Sequence, residues 1–561
     1  MLYLENTRTI SDIFSSEYLL LIVSIAMINL IFALPLSRKY MQILQQSGYV
    51  KSEFLRWLAR RDNVYLVRLA MVAMLSMLSY FIFSIAFAFV ENEIIMYIGF
   101  VFYALFLAIY IRSDFKRKEK SPLVITKRVA RLYITFSIIH FLITFGLLLL
   151  ANVIGFLSKN NGVFLSVRFI IVCITPLLVP VSVLLAALFN APMEKLNNKK
   201  YVEKCRKTLS EYKDLIKIGI TGSYGKTSVK EILKTMLSEK YKVLSTPASY
   251  NTPMGICKTV NKLNPTYDVF IAEMGARHEG DIKELCDIVH PSYAIVNGII
   301  EHHMETFSSL AKIIKTKAEL IDEVSENGVA VLSSDNDNTS SLADKYKGKN
   351  IILAGVNTDK NPPVYASDIR STGAGTEFIL HVFGKTCDAS TTLLGRHNVS
   401  NITLAAAICY KLGLTIEEIA AGIARIRPIK HRLEVSYNDL GMTVIDDSYN
   451  SNVSGTRAAI EVLSGFKGRK IIVTPGIVEM GRAQDYANFE LGERLAGAVD
   501  IAILVGGINS YKIRDGMLKA GFPLDNIYIA KDLEDAKTYL KKHSLAGDVV
   551  LFENDLPDKF S

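Results

Sequence analysis

Lys226 and Thr227 follow two glycines, Gly222 and Gly225, in the stretch Lys217–Leu237, KIGITGSYGKTSVKEILKTML, and that order of residue types is suited to gripping a phosphate. Glycine backbone can turn its N–H groups inward around phosphate oxygens, and a helix starting just behind them adds the positive end of its dipole. A lysine at this point reaches the outer phosphates, and the hydroxyl of the next residue can ligate magnesium. The usual first glycine of such a loop, five positions before Gly225, is replaced by Ile220, which leaves a GxxGKT variant. Further along, Glu273 ends the apolar run YDVFIA, and Glu301, His302, His303 and Glu305 follow a second such run. An acidic residue at the C-terminal edge of a parallel sheet, beside a phosphate loop, is placed to hold magnesium. Adjacent histidines cannot both face one metal from a regular element, so one is expected as a ligand and the other as structural or exposed.

These residues need a strand, a turn and a helix to position them. Ile216, Ile218 and Ile220 alternate as a strand does, whereas Val229, Ile232, Leu233, Met236 and Leu237 recur at helical spacing, so the period changes from two to 3.6 across the glycines. Strands are predicted over Tyr267–Ala272 and Tyr293–Asn297, and the alternation of strand-like and helix-like segments predicts a doubly wound α/β domain.

The 561 residues allow three or more domains. Half of them are hydrophobic, and the net charge of +9 comes from basic residues gathered between apolar segments near the N-terminus. That pattern points to membrane topology and away from nucleic acid. Apolar spans are predicted at 18 to 36, 69 to 90, 94 to 111, 132 to 153 and 169 to 190, each long enough for a hydrocarbon core of roughly 30 Å. The first lacks the basic leader and cleavage site of a signal peptide. Loops bearing Arg38, Lys39, Lys51, Arg56, Arg112 and Lys127 are read as cytoplasmic, which places the N-terminus outside and everything after Ala191 inside. Six cysteines without metal spacing read as reduced thiols. The loop holding Leu44, Phe54, Leu55 and Trp57 has the composition of an amphipathic element at the headgroup level, and residues 195–215 read as a connector helix. His140, Pro176 and Pro180 are the intramembrane features a transport path would need. A satisfied histidine and two helix kinks account for them, so the bundle is read as an anchor or as a cradle for a lipid-linked substrate.

Several motifs in fixed order give the chain a family resemblance: GITGSYGKTS at 219 to 228, AEMGARHEGDI at 272 to 282, HMETF at 303 to 307, KAEL at 317 to 320, DND at 335 to 337, GRHNVSN at 395 to 401, HRLE at 431 to 434 and IDDSYNSN at 445 to 452. It resembles the Mur ligase family of ATP-dependent amide ligases in peptidoglycan precursor synthesis, and most of all the branch that adds D-alanyl-D-alanine. The resemblance covers roughly residues 215 to 540 and implies a P-loop ATPase central domain (215–430) and a smaller Rossmann-like C-terminal domain (431–561); the apolar spans before it are read as an α-helical transmembrane bundle (1–191) and a connector (192–214). It implies that Gly222, Ser223, Gly225, Lys226, Thr227 and Ser228 form the ATP phosphate site, with Asn398 and Asn401 toward the nucleotide. Arg432 and Asp447 would close on ATP from the C-terminal domain, flanked by Tyr449, Asn450 and Asn452. Thr227 and Glu273 would hold one magnesium and His303 a second. Lys317 aligns with a lysine that the family carbamylates; unmodified, it would contact phosphate directly or lie at the surface.

The chemistry so implied is an ADP-forming amide ligation, in which an acceptor carboxylate takes the γ-phosphate to give an acyl phosphate and a small-molecule amine displaces the phosphate. Departures lie outside the ATP machinery. Apolar spans stand in place of the UDP-substrate domain, Asn488 replaces a histidine, Val453 replaces a proline, and Glu553 stands where a basic run is expected. The reading is a multi-pass bacterial plasma-membrane ligase with cytoplasmic catalytic domains, using a possibly lipid-linked acceptor in envelope polymer synthesis. Its alternatives are a tethered ligase for the UDP-linked peptide, a poly-amino-acid synthase, or a non-catalytic nucleotide-binding scaffold.

Overall fold

The computed structural model describes residues 15–59, 63–90, 94–115, 122–158, 161–248, 250–302, 304–373, 375–438, 441–449, 452–478 and 480–554. They divide into two compact units, one up to Asn197 and the other from Asn198 onward.

The first unit is helical. Unbroken apolar sequence satisfies its own backbone hydrogen bonds only as helix where water is absent, and the helices run Ser16–Gln46, Lys51–Leu58, Val64–Val90, Ile94–Phe115, Lys127–Ser158, Asn161–Ile174 and Val179–Glu211, the last continuing into the second unit. Among the described residues four segments are long and apolar enough to cross a membrane: Leu19–Gln46, Tyr65–Phe83, Lys127–Ile154 and Ser166–Glu211. The remaining expected span, 94 to 111, lies in the helix Ile94–Phe115, the start of which falls outside the side chains described. In the last segment Pro176 and Pro180 interrupt the helix with a 3-10 turn, Thr175–Leu178. The carbonyl of Val172, which Pro176 leaves without a donor, accepts Thr175 Oγ1 at 2.9 Å and Asn29 Nδ2 at 3.4 Å.

The expected amphipathic helix forms at Lys51–Leu58, but Trp57 does not face outward. It is buried, with ring centroids 6.0 to 6.3 Å from those of Tyr40, Phe54 and Tyr65. His140 is also less settled than expected: Nδ1 meets Ser182 Oγ at 3.0 Å, while Nε2 is buried without a partner among the described residues.

The second unit carries two sheets. The larger contains β1 (Ile216–Thr221), β2 (Val243–Ser245), β3 (Val269–Glu273), β4 (Tyr293–Val296), β5 (Val329–Ser333), β6 (Ile351–Gly355), β7 (Val364–Thr372), β8 (Gly375–Val382) and β9 (Lys385–Thr391). Its order is β2-β3-β1-β4-β5-β6-β7-β8-β9, parallel as far as β7 and antiparallel beyond. Because β1 lies between β3 and β4, successive connections leave it in opposite directions and open a crevice at its C-terminal end. Strands such as β3 and β5 are buried along their whole length, as sheets with helices on both faces must be. Cys205 and Leu209, in the last turns of Val179–Glu211, pack into the core on one of those faces.

The smaller sheet holds β10 (Glu434–Tyr437), β11 (Thr443–Asp447), β12 (Lys470–Thr474), β13 (Ile501–Val505), β14 (Ile527–Ala530) and β15 (Val549–Glu553), ordered β10-β11-β15-β12-β13-β14 with β10 alone antiparallel. The last strand therefore sits in the middle of the sheet and sets Glu553 beside Asp447.

Candidate active site

β1 ends at Thr221, and the helix Lys226–Leu237 begins five residues later, so the four residues Gly222 to Gly225 must reverse the chain. Gly225 caps the helix with φ 72°, a left-handed conformation that a side chain would strain. Its space is also taken, because Asn297 Nδ2 and Asn401 Oδ1 lie against it and bond each other at 2.9 Å. Ser223 fixes the loop to the segment after β4: its N–H donates to Gly298 O at 2.8 Å, its hydroxyl donates to Ile300 O at 3.0 Å, and it accepts from Ile300 N at 3.1 Å. Tyr224 lies over Gly298, where any Cβ would overlap its ring.

Lys226 folds back to donate to Gly222 O at 2.8 Å, and burial lowers its ammonium pKa, partly offset by Glu273. Thr227 Oγ1 donates to Glu273 Oε2 at 3.0 Å. Glu273 is 1% exposed; its other oxygen accepts Asn251 Nδ2 at 3.2 Å, and its own N–H bonds Thr246 Oγ1 at 3.1 Å. A hydroxyl and a carboxylate this close at the mouth of a glycine loop are two hard oxygen donors of the kind magnesium takes. The expected pair Thr227 and Glu273 is therefore brought together. His303, expected as a catalytic residue and a second metal ligand, lies outside the described residues, as does Asn450.

Lys317 is 3% exposed on the helix Leu310–Asp322 and makes no hydrogen bond or ion pair among the described residues. Burial, with the nearby Lys226 charge, holds its amine well below the usual ammonium range. It is not a surface lysine.

A cavity of about 660 Å³ runs from the loop to the C-terminal sheet and is lined by Gly225, Ser228, Asn398, Asn401, Arg432 and Asp447 together with Tyr224, Asn297, Asp335, Arg396, His397 and Asn452. Six of the ten expected nucleotide residues thus line this cavity, whereas Gly222, Ser223, Lys226 and Thr227 do not. Arg432 lies over the Tyr449 ring, 4.5 Å from guanidinium carbon to centroid. The Asp447 carboxyl accepts from Leu433 N at 3.3 Å and is pushed up to about 7, first by burial and then by Glu553 beside it. Burial pushes His397 down to about 4, so it is neutral at pH 7. A second cavity of about 670 Å³ opens on the Thr227 side, between Ala248 and the basic run Arg425, Arg427, Lys430 and His431.

Three residues were not anticipated. Asp335 receives Val356 N and Asn357 N at 2.8 and 2.6 Å and bonds Ser400, bracing the cavity wall. Asn297 locks the loop glycine. Lys230 is fully buried and reaches Glu273 Oε2 at 3.2 Å and the carbonyl of Ala248. The signal for it was a lone lysine on the apolar face of the helix, between Val229 and Leu233. Two departures prove internal to the C-terminal domain. Asn488 is buried, donating to Ile477 O at 2.9 Å and accepting from Ile477 N at 2.8 Å. Glu553 is buried and accepts Thr456 and Thr474 hydroxyls at 2.7 and 2.9 Å.

A doubly wound parallel sheet whose central strand delivers a glycine loop, closed by a second α/β domain, defines a class of nucleotide-using ligases, and the sequence matches that class by description: Mur ligase middle domain over residues 220–409, and Mur ligase, glutamate ligase domain over residues 431–553. The chain belongs to the Mur ligase family. It is 33% identical over 293 residues to the UDP-N-acetylmuramoyl-tripeptide–D-alanyl-D-alanine ligase of Escherichia coli, an overlap of 52% of this chain and 64% of that protein. The chain thus spans just under two thirds of that relative's length. Among solved structures it resembles MurF from Acinetobacter baumannii (TM-score 0.59, 26% identity, 64% of this chain and 77% of that one) and MurF from Thermotoga maritima in complex with ADP (TM-score 0.57, 25% identity, 64% and 80%).

Proposed function

We propose that this protein is an ADP-forming carbon–nitrogen ligase, held in the bacterial plasma membrane by its N-terminal helices, that joins an amine to a carboxylate acceptor in envelope polymer synthesis. The observation that carries the reading is the meeting of Thr227 and Glu273 at 3.0 Å beside the glycine loop, at the edge of a cavity walled by both α/β domains. The ADP-bound relative supports a nucleotide in that cavity.

In this reading Lys226 leaves Gly222 O to meet the outer phosphates, and the loop N–H groups hold the inner ones. Thr227 and Glu273 would hold magnesium, which supplies positive charge to the phosphate oxygens when bound. Asn297 and Asn401 keep the loop open, while Arg432 and Asp447 bring the C-terminal domain against the nucleotide and keep water from the activated carboxylate. The unpaired amine of Lys317, whose ammonium form burial disfavours, is suited to adding carbon dioxide; the carbamate formed, with release of a proton, would replace an unpaired buried amine by an anion facing Lys226.

The acceptor is assigned to the second cavity, which shares Thr227 and Arg432 with the loop side. The apolar helices favour a lipid-linked acceptor, and an acceptor carrying UDP is the competing source. Purified protein in detergent is expected to release ADP and phosphate only when both acceptor and amine are supplied, with lipid extract and UDP-linked peptide as separate arms. Acceptor-independent hydrolysis would overturn the ligase reading. Lys226→Ala and Glu273→Gln are each expected to lower turnover at least ~100-fold, with folding checked by the melting temperature because Glu273 also pairs the buried Lys230; retained turnover would remove both from the site.

A further inference from the structure

Lys230 lies four residues after Lys226, one helical turn below the glycine loop, and side chains on a helix lean back toward its N-terminus. Its ammonium therefore rises from beneath the loop to Glu273 Oε2, at 3.2 Å, and to the carbonyl of Ala248. No part of it is exposed. Glu273 Oε2 is thus shared between Lys230 and Thr227, and Asn251 holds Oε1 from the opposite side. Ala248 sits at φ 44°, a left-handed conformation that alanine seldom adopts, and it lines the second cavity. A single buried cation accordingly fixes the rotamer of one carboxylate and the path of one loop.

We infer that Lys230 is a positioning residue that aims the Glu273 carboxylate at the cation held with Thr227 and, through Ala248, sets the adjoining wall of the acceptor cavity. This rests on the reading of Thr227 and Glu273 as metal-holding. The two duties have opposite signs for the metal. A fixed positive charge beside Glu273 opposes a second cation there, so divalent affinity is sacrificed for geometry. Loss of the charge should tighten metal binding while impairing turnover, whereas a residue that merely supported the fold would weaken both together.

The experiment uses the full-length protein in detergent, with Lys230→Gln, which keeps a donor for Ala248, and Lys230→Met, which keeps neither charge nor donor. Mn2+ binding is read by electron paramagnetic resonance in the absence of nucleotide, and ADP release is read separately. The inference expects Mn2+ to bind three- to tenfold more tightly in both variants. It expects kcat to fall about tenfold in the glutamine variant and about 100-fold in the methionine variant, with KM for ATP within twofold of the parent. Mn2+ affinity unchanged or weaker in a folded glutamine variant overturns it, as does a methionine variant with the parent's kcat. If the parent itself releases no ADP, the ligase reading fails, yet the Mn2+ titration still decides the role of Lys230.

Discussion

Between the helices Lys127–Ser158 and Val179–Glu211, buried and half-buried polar side chains meet across the seam: Arg131 with Glu194 at 2.5 Å, Thr135 with Asn190 at 3.0 Å, His140 with Ser182 at 3.0 Å. Around the glycine loop they converge instead, Thr227, Lys230 and Asn251 all on one carboxylate, and Thr227 carries that cluster to the lining of an open cavity. The contrast separates two uses of buried polarity. Pairs hold two helices in register, even where single atoms such as His140 Nε2 and Thr144 Oγ1 stay without a partner among the described residues. A convergent set concentrates charge and lone pairs where a ligand must complete them. The first unit therefore reads as framework and the second as machinery, and the contrast can be tested from either side.

The largest effect should follow from breaking the ion pair at the end of the framework. Glu194 is 8% exposed and neutralises Arg131, with Arg128 at 3.7 Å. Glu194→Ala leaves two guanidinium groups facing each other, and a loss of about 2 kcal/mol is expected, seen as a lower melting temperature in detergent. Glu194→Ala with Arg131→Leu should recover most of that loss. If the double variant is no better than the single one, the pair is not a unit and the framework reading loses its best case.

An intermediate effect is expected at Asp447, where the machinery buries a carboxyl beside a second one. The folded protein holds its proton up to about pH 7, and the unfolded chain releases it near pH 4, roughly the free aspartate value. Folding therefore favours the protonated form, and the stability this contributes is present at low pH and is lost as pH rises from about 4 to about 7. Asp447→Asn removes the titration. Melting temperature measured from pH 5 to 8 should fall more steeply in the parent than in the variant; parallel curves would mean that Arg432 already holds the carboxylate ionised.

Much of this was legible in the residues themselves. The strand, glycine turn and helix from Ile216 to Leu237 announce themselves because the period changes within a few residues and GKT has few other uses. Glu273 was visible as the acid ending a β-branched run, and Thr227, Asn398, Asn401, Arg432 and Asp447 came through motif order. Lys230, Asn297 and Asp335 did not. Each acts through a partner tens of residues away, such as Glu273, Asn401 or Ser400, so the lone lysine on an apolar helix face and the DND motif mark Lys230 and Asp335 as positions without disclosing what they do. The burial of Trp57 was hidden for the same reason, since Tyr40, Phe54 and Tyr65 are brought to it only by folding.

The smallest effect should come from His140, the framework residue nearest to the machinery's pattern because its Nε2 has no partner among the described residues. Only one hydrogen bond, to Ser182, joins the two helices there, and bonds of that kind are worth about 0.6 kcal/mol between apolar helices. His140→Leu also removes a buried nitrogen with no partner, which offsets part of that loss. The variant should melt within a degree or two of the parent and release ADP at the parent's rate. A tenfold fall in ADP release at unchanged stability would place His140 with the convergent set and end the division between framework and machinery, because a residue that only joins helices has no means of slowing chemistry performed by the other unit.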